Sequence, residues 1–167
     1  MNNGQTPSDQ KGSRDETAAE QADRKFDDLL QELRVSQTGV QFLFAFLLIL
    51  AFQNRFADID EFDQTVYVVT IVCCAMATIL LIAPVAVHRA MSGQHRKDEI
   101  VAVSARYAQA GLSFLGLSMV GALVLALDAT MTRTWAIVIA LVVGAGIVTA
   151  WVLHPRTLVR RAEEGLS

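Results

Sequence analysis

Residues 64–88 read QTVYVVTIVCCAMATILLIAPVAVH, a run of 25 residues without a charged side chain. An α-helix needs about 20 mostly apolar residues to cross the roughly 30 Å hydrocarbon core of a bilayer. Inside hydrocarbon every backbone N–H and C=O group must be satisfied within the segment, and a helix does this. The run therefore predicts a transmembrane helix, with Pro84 in its last turn.

Three further charge-free runs of 20 to 22 residues follow the same pattern. We expect an all-α integral membrane protein with four spans, because each run is long enough to cross a bilayer. The predicted spans are, in chain order, about 36–53, 65–88, 107–128 and 134–154. The 167 residues are 53% hydrophobic and 19% charged, against about 25% charged in soluble domains. This composition excludes a soluble globular enzyme, a disulfide scaffold and a nucleic-acid binder.

Lysine and arginine are distributed unevenly about these spans. Twelve of the 14 fall in the N-terminal segment, the 88–107 connection or the C-terminal tail, and the other two are Arg55 and Arg133. Cytoplasmic loops of membrane proteins carry an excess of Lys and Arg. We therefore expect both termini to be cytoplasmic.

The flanking segments differ in composition from the spans. Residues 1–22 are polar and predict a disordered cytoplasmic tail. In residues 23–34, apolar side chains at i, i+3, i+4 and i+7 predict an amphipathic juxtamembrane helix, which lies on the inner leaflet or continues into the first span. The four-helix transmembrane domain then covers residues 35–155, and residues 156–167 form a cytoplasmic C-terminal tail.

A pattern recurs with a period of 72 residues. Residues 34–43 read RVSQTGVQFL and residues 106–115 read RYAQAGLSFL, which share R-x-x-Q-x-G-[VL]-x-F-L. The repeat predicts two tandem helical hairpins related by a pseudo-twofold axis along the membrane normal, the parallel kind of internal repeat. The alternative is chance similarity between apolar helices.

The repeat places polar side chains at the cytoplasmic end of the first and third spans. Arg34, Gln37 and Gln41 share one helix face, and Arg106 and Gln109 repeat the first two positions. One interpretation is a polar inner vestibule that binds a lipid headgroup, an anion or a partner. The other, which we favour, is that the arginines snorkel to lipid phosphates and the glutamines tie helices together.

Small residues at a spacing of four mark the third and fourth spans. Helices in lipid associate through close packing at such residues. A short connection makes these two spans antiparallel neighbours, so the two rows match in depth. The predicted packing pairs are Ala126 with Ala136, Ala122 with Ala140, and Ser118 with Gly144.

Side chains that could carry chemistry are few. No charged residue lies deep inside the four runs, which argues against a self-contained proton-coupled transporter. Cys73 and Cys74 are interpreted as small apolar residues, and the three histidines as ordinary interfacial residues. The acidic loop at residues 58–63 is interpreted as solvated rather than as a cation site, since it lacks the glycine and the terminal glutamate of an EF-hand loop. We expect no enzyme activity, cofactor or metal, and no nucleic-acid partner.

Two segments carry a resemblance to a known family. Residues 29–48 (LLQELRVSQTGVQFLFAFLL) and 82–89 (IAPVAVHR) resemble the signatures of an uncharacterised family of small four-helix membrane proteins from actinobacteria. The similarity covers about residues 25–150. It implies a four-span fold in a bacterial plasma membrane, and it implies no activity.

Two functions remain open at this point. The first is a structural or accessory membrane protein that contacts lipids and either forms a homo-oligomer or joins a larger membrane complex. The second is a small oligomeric transporter or channel-like protein, or a transporter subunit, with the polar vestibule as its cytoplasmic opening. Absence of charge within the spans favours the first.

Overall fold

The computed structural model describes residues 18–91, 97–154 and 156–157. It contains four α-helices: α1 (Ala18–Ala51), α2 (Glu61–Met91), α3 (Lys97–Asp128) and α4 (Arg133–Val148). A 3₁₀ turn at Asn54–Asp58 lies between α1 and α2, and a π-helical turn at Thr149–Leu153 continues α4.

Each of the four helices contains a segment that is long and apolar enough to cross a membrane. For the described residues, this confirms the prediction of an all-α fold with four helices able to span a membrane. The segments are Asp27–Ala51, Glu61–Val87, Val101–Asp128 and Arg133–Leu153.

The predicted amphipathic segment and the first span form one continuous helix. α1 begins at Ala18, earlier than the start expected at Asp23, and residues 18–22 (AAEQA) consist of strong helix formers. Leu33, in the amphipathic segment, is buried with Val40 and Leu47 in the same core. The predicted disorder of residues 1–17 and the tail from residue 158 onward lie outside the described residues.

Three side-chain hydrogen bonds between described residues link α1 to α2. In each, a side chain of one helix donates to a backbone carbonyl oxygen of the other. They are Gln37 Nε2 to the Leu81 oxygen at 2.8 Å, Cys74 Sγ to the Val40 oxygen at 3.6 Å, and Tyr67 Oη to the Leu47 oxygen at 3.1 Å. The buried α1 residues Leu33, Val40 and Leu47 recur every seven positions, which keeps one stripe of the helix facing its neighbours. The bonds therefore fix the depth of α1 against α2.

The most extensive helix contact is between α2 and α3, and two glycines make it close. A Cβ atom at Gly111 would lie 2.8 Å from Leu81 Cγ and 3.1 Å from the Leu81 backbone nitrogen. A Cβ atom at Gly121 would clash with the Thr70 hydroxyl and lie 3.1 Å from Thr70 Cβ. Small residues allow this kind of close backbone approach in membrane bundles.

α4 packs mainly against α3, and α1 contacts both α2 and α3. A pseudo-twofold axis relating the two hairpins would make the α4–α1 pair equivalent to the α2–α3 pair. α2 and α3 are extensively packed, whereas α1 and α4 make no comparable contact. The described helices therefore form a three-helix unit with α4 attached at one side, and they do not show the predicted symmetry.

Candidate functional site

The five polar residues predicted at the cytoplasmic end do not share one environment. Gln37 is half-buried, and Arg34, Gln41, Arg106 and Gln109 are exposed. Gln37 faces α2, to which it is bonded, while Gln109 lines a groove between α3 and α4. Gln37 thus links two helices, whereas the other four side chains lie on the surface of the bundle.

The Gln37 amide performs a specific structural task. Its acceptor, the Leu81 carbonyl oxygen, lies one turn before the buried Pro84 of α2. A proline inside a helix removes one backbone hydrogen bond and disturbs the carbonyls of the preceding turn. The carbonyl that loses its backbone donor to Pro84 is that of Leu80, four residues earlier, and the Leu81 carbonyl is its neighbour. Gln37 therefore adds a donor from α1 to the turn of α2 that precedes its proline.

The six small residues predicted to pack α3 against α4 differ in burial. Ser118, Ala136 and Ala140 are buried, Ala122 and Gly144 are half-buried, and Ala126 is exposed. A Cβ atom at Gly144 would lie 3.3 Å from Val120 Cγ2, so the α4 glycine faces α3. The Ser118 hydroxyl donates to the Phe114 carbonyl of its own helix at 2.7 Å. Gly111, which packs against Leu81 of α2, lies seven positions before Ser118 and so shares its helix face. The predicted α3 row therefore faces α2, and α4 meets α3 at Gly116 and Val120 instead.

A groove of about 440 Å³ runs between α3 and the C-terminal half of α4. Its α3 wall extends from Gln109 to Val120, and its α4 wall extends from Gly144 to Val152. Gln109 and Ser113 supply its polar side chains at one end; the remaining lining is apolar, with Trp151 among it. Trp151 belongs to the π-helical turn, a geometry that recurs at functional sites.

At the opposite end of the helices, one arginine joins three carboxylates. Arg133 Nη2 lies 2.6 Å from Asp60 Oδ2, 2.9 Å from Asp128 Oδ2 and 3.8 Å from Asp63 Oδ2. The guanidinium carbon also lies 4.4 Å from the centroid of the Phe62 ring, within cation–π range. The Oδ1 atom of Asp63 is buried and has no hydrogen-bond partner among the described residues.

These charges stand at the ends of three helices. Asp60 caps α2, since its Oδ1 accepts from the Asp63 backbone N–H at 3.0 Å. This bond and the Arg133 side chain hold the pKa of Asp60 below its ordinary value of 3.8. Asp128 ends α3 and Arg133 begins α4, so each residue carries the sign of charge that the dipole at its helix end disfavours. Pairing the two residues offsets both unfavourable placements.

A cavity of about 400 Å³ lies beside this cluster, between the C-terminal ends of α1 and α3 and the N-terminal end of α2. Asp58, Asp60, Asp63 and Asp128 all contribute to its lining, so its surface is acidic. The acidic loop was expected to be solvated, and its link to α4 through Arg133 was not predicted. The available signal was Arg133, one of two basic residues on that side and five positions after Asp128.

The cysteines and histidines form no ligand set in the described part of the chain. Cys73 and Cys74 are buried free thiols, and His154 is exposed. His95 and the His88 side chain lie outside what the structure describes. No group of three or more His, Cys, Asp or Glu side chains suited to a metal ion occurs among the described residues.

Comparison with known proteins gives one match. A family of unknown function, DUF6328, matches residues 15–155, which includes all four spans. No curated protein matches the chain, and no solved structure matches it either. Because the match covers most of its length, the protein belongs to the DUF6328 family.

Proposed function

We propose that the protein is a structural or accessory component of a bacterial plasma membrane that acts by binding other membrane components. Both termini are cytoplasmic in this proposal, which the 12-to-2 distribution of Lys and Arg supports. The acidic cluster around Arg133 then faces the outside. The 72-residue repeat supports an origin of the two hairpins by duplication, followed by divergence of their packing.

The one-sided attachment of α4 carries this proposal. Only 11% of the apolar window of α4 is buried, against 28% for α2. Leu141 and Val142, on the side away from α3, are 65% and 68% exposed. A helix held along one stripe leaves most of its surface available for a partner helix, which would pack through the same shape-dependent contacts as the bundle itself.

Photo-crosslinking in cells tests the proposal. A photoreactive amino acid would be placed at Leu141 or Val142, and at the buried Ala140 as the matched control on the same helix. We expect the two exposed positions to give adducts with another membrane protein or with a second copy of this chain. Ala140 should give only adducts within the chain.

Purification in a mild detergent supplies the second readout. A partner found by crosslinking should co-purify with the full-length protein, and substitution of Leu141 by a bulky Trp should reduce its recovery. A strictly monomeric protein whose exposed positions give lipid adducts alone would contradict an accessory role based on protein contacts.

The alternative, a small transporter or channel-like oligomer, has weaker support from the geometry. Of its proposed vestibule residues, Gln37 is engaged with α2 and the others are exposed on different sides of the bundle. Flux measurements in liposomes with Gln37→Leu and Gln109→Leu variants separate the two functions. Flux that depends on both glutamines would favour transport over an accessory role.

A further inference from the structure

The α3–α4 groove has the length of one bilayer leaflet. From Gln109 to Val120 is 11 residues, which at about 1.5 Å per residue is roughly 16 Å. The hydrocarbon core is about 30 Å thick, so the groove extends from one interface to near the membrane centre. Because α3 and α4 both leave this surface open, it faces the acyl chains of surrounding lipids.

The polar end of the groove is also its basic end. Arg106 lies three residues before Gln109 on the same face of α3. Arg156 lies four residues after Val152 in the chain, beyond the π-helical turn that follows α4. Both arginines are exposed. Each of the two segments that line the groove therefore carries an arginine three or four residues beyond the last lining residue at the polar end.

We propose that this groove binds one anionic phospholipid, with an acyl chain between α3 and α4 and the headgroup phosphate between Arg106 and Arg156. The inference rests on the proposed membrane insertion and requires no protein partner. Basic pockets between transmembrane helices are suited to anionic headgroups, and guanidinium groups bind phosphate oxygens through paired donors. Trp151 has the interfacial position typical of tryptophan in membrane proteins.

The shape of the groove favours a lipid over a partner helix. A transmembrane helix packs along the full thickness of the bilayer, whereas this groove ends at Val120 and Gly144. Beyond that depth, α4 lies against the bundle through Ala136 and Ala140, which are 0% and 1% exposed. Half-membrane length, an apolar lining and charge at one end match the dimensions and polarity of a single phospholipid.

Fluorescence quenching tests the site directly. The chain has two tryptophans, Trp135 and Trp151, so the Trp135→Phe variant reports on the groove alone. It would be reconstituted in phosphatidylcholine vesicles containing increasing fractions of phosphatidylglycerol brominated on its acyl chains. We expect Trp151 to be quenched at lower fractions of brominated phosphatidylglycerol than of brominated phosphatidylcholine.

Substitutions then assign the preference to the groove. Arg106→Gln and Arg156→Gln should each reduce the preference for phosphatidylglycerol by about fivefold. Ser113→Phe, which fills the polar end, should reduce quenching by both lipids. Arg34→Gln removes an exposed arginine at the corresponding depth of α1 and should leave the preference unchanged.

Two outcomes would overturn the proposal. Equal quenching by the two brominated lipids in the Trp135→Phe protein would show that Trp151 contacts bulk lipid only. If Arg34→Gln reduced the preference for phosphatidylglycerol as much as Arg106→Gln, the preference would be due to the overall surface charge and not to the groove. Neither result depends on crosslinking to a protein partner, so failure here is distinguishable from failure of the accessory role.

Discussion

Gly121→Ala should weaken the α2–α3 contact. The added methyl group would enter the space of Thr70, whose side chain is 2% exposed. Rotation of Thr70 does not relieve the contact, because its Cβ atom, which cannot rotate away, lies 3.1 Å from the new methyl group. The Thr70 hydroxyl is also held by a 2.6 Å hydrogen bond to the Val66 carbonyl oxygen. The helices must therefore separate or shift.

The expected cost follows from two opposing effects. Insertion of an extra methyl group into a close-packed contact costs about 1–3 kcal/mol. Replacement of a helical glycine by alanine raises the free energy of unfolding by up to about 1 kcal/mol, because alanine has the higher helix propensity. Gly39→Ala and Gly146→Ala are matched controls, because a Cβ atom at either position meets nothing within 4 Å. The controls should be neutral or stabilising, and Gly121→Ala destabilising by roughly 1–2 kcal/mol.

Unfolding in mixed micelles measures these differences. The full-length protein in dodecylmaltoside would be titrated with sodium dodecyl sulfate and followed by circular dichroism. Thr70→Ala removes the hydroxyl and the Cγ2 atom that the new methyl group meets but keeps Cβ. It should therefore restore part of the stability lost in Gly121→Ala, and the double-mutant cycle should give a coupling energy of about 0.5–1.5 kcal/mol. A Gly121→Ala variant as stable as the two controls, or a double variant whose losses simply add, would refute the close approach of α2 and α3.

Three further predictions concern the two ends of the bundle. Arg133→Met should lower the thermal midpoint of unfolding in detergent and increase proteolysis of the α1–α2 connection, because Asp60 loses its partner on α4. An unchanged cleavage pattern would argue against the link between Arg133 and Asp60. The pKa of Asp60 is lowered in the folded state, so its contribution to stability is present above pH 3.8, its ordinary value, and is lost as the pH falls through the folded value. Acid titration of Asp60→Asn should accordingly show a smaller loss of stability than the parent, and equal losses would contradict this. Gln37→Leu and Tyr67→Phe should each cost about 0.5–1.5 kcal/mol, because each removes one hydrogen bond between α1 and α2. Micelle titration measures both losses, and no loss in either variant would refute the proposed α1–α2 links.

The sequence predicted the spans because their signal is local. Charge-free runs of 20 or more residues determine which segments can cross a bilayer, whatever their neighbours. The pairing of helices depends on which faces meet, and the small-residue rows left this ambiguous. Gly111 and Gly121 lie among many small residues, and only the fold shows that they face Leu81 and Thr70.

The link between Arg133 and the acidic residues was not predicted from the sequence, for a different reason. Asp60 and Arg133 are 73 positions apart, and each belongs to a connection that looks solvated when taken alone. Their partnership arises because α2 and α4 begin at the same depth, which composition and periodicity do not encode. The repeat was enough to find the polar residues near Arg34 and Arg106. It did not show that Gln37 contacts α2 while Gln109 lines an open groove.

The bond between Arg133 and Asp128 also bears on how the protein enters the membrane. The two residues flank a short connection, so their two hydrogen bonds, at 2.9 and 3.4 Å, can form before any other helix docks. In the proposed orientation, with both termini cytoplasmic, the α3–α4 hairpin must carry this connection across the hydrocarbon during insertion, where a lone arginine costs about 2.5–3.5 kcal/mol on translocon scales. Crossing as a neutral pair reduces that barrier, and the bond to Asp60 follows only after translocation. We expect Asp128→Asn to lower the yield of correctly inserted α4 in a glycosylation-mapping assay, and unchanged insertion would show that the pair forms only later.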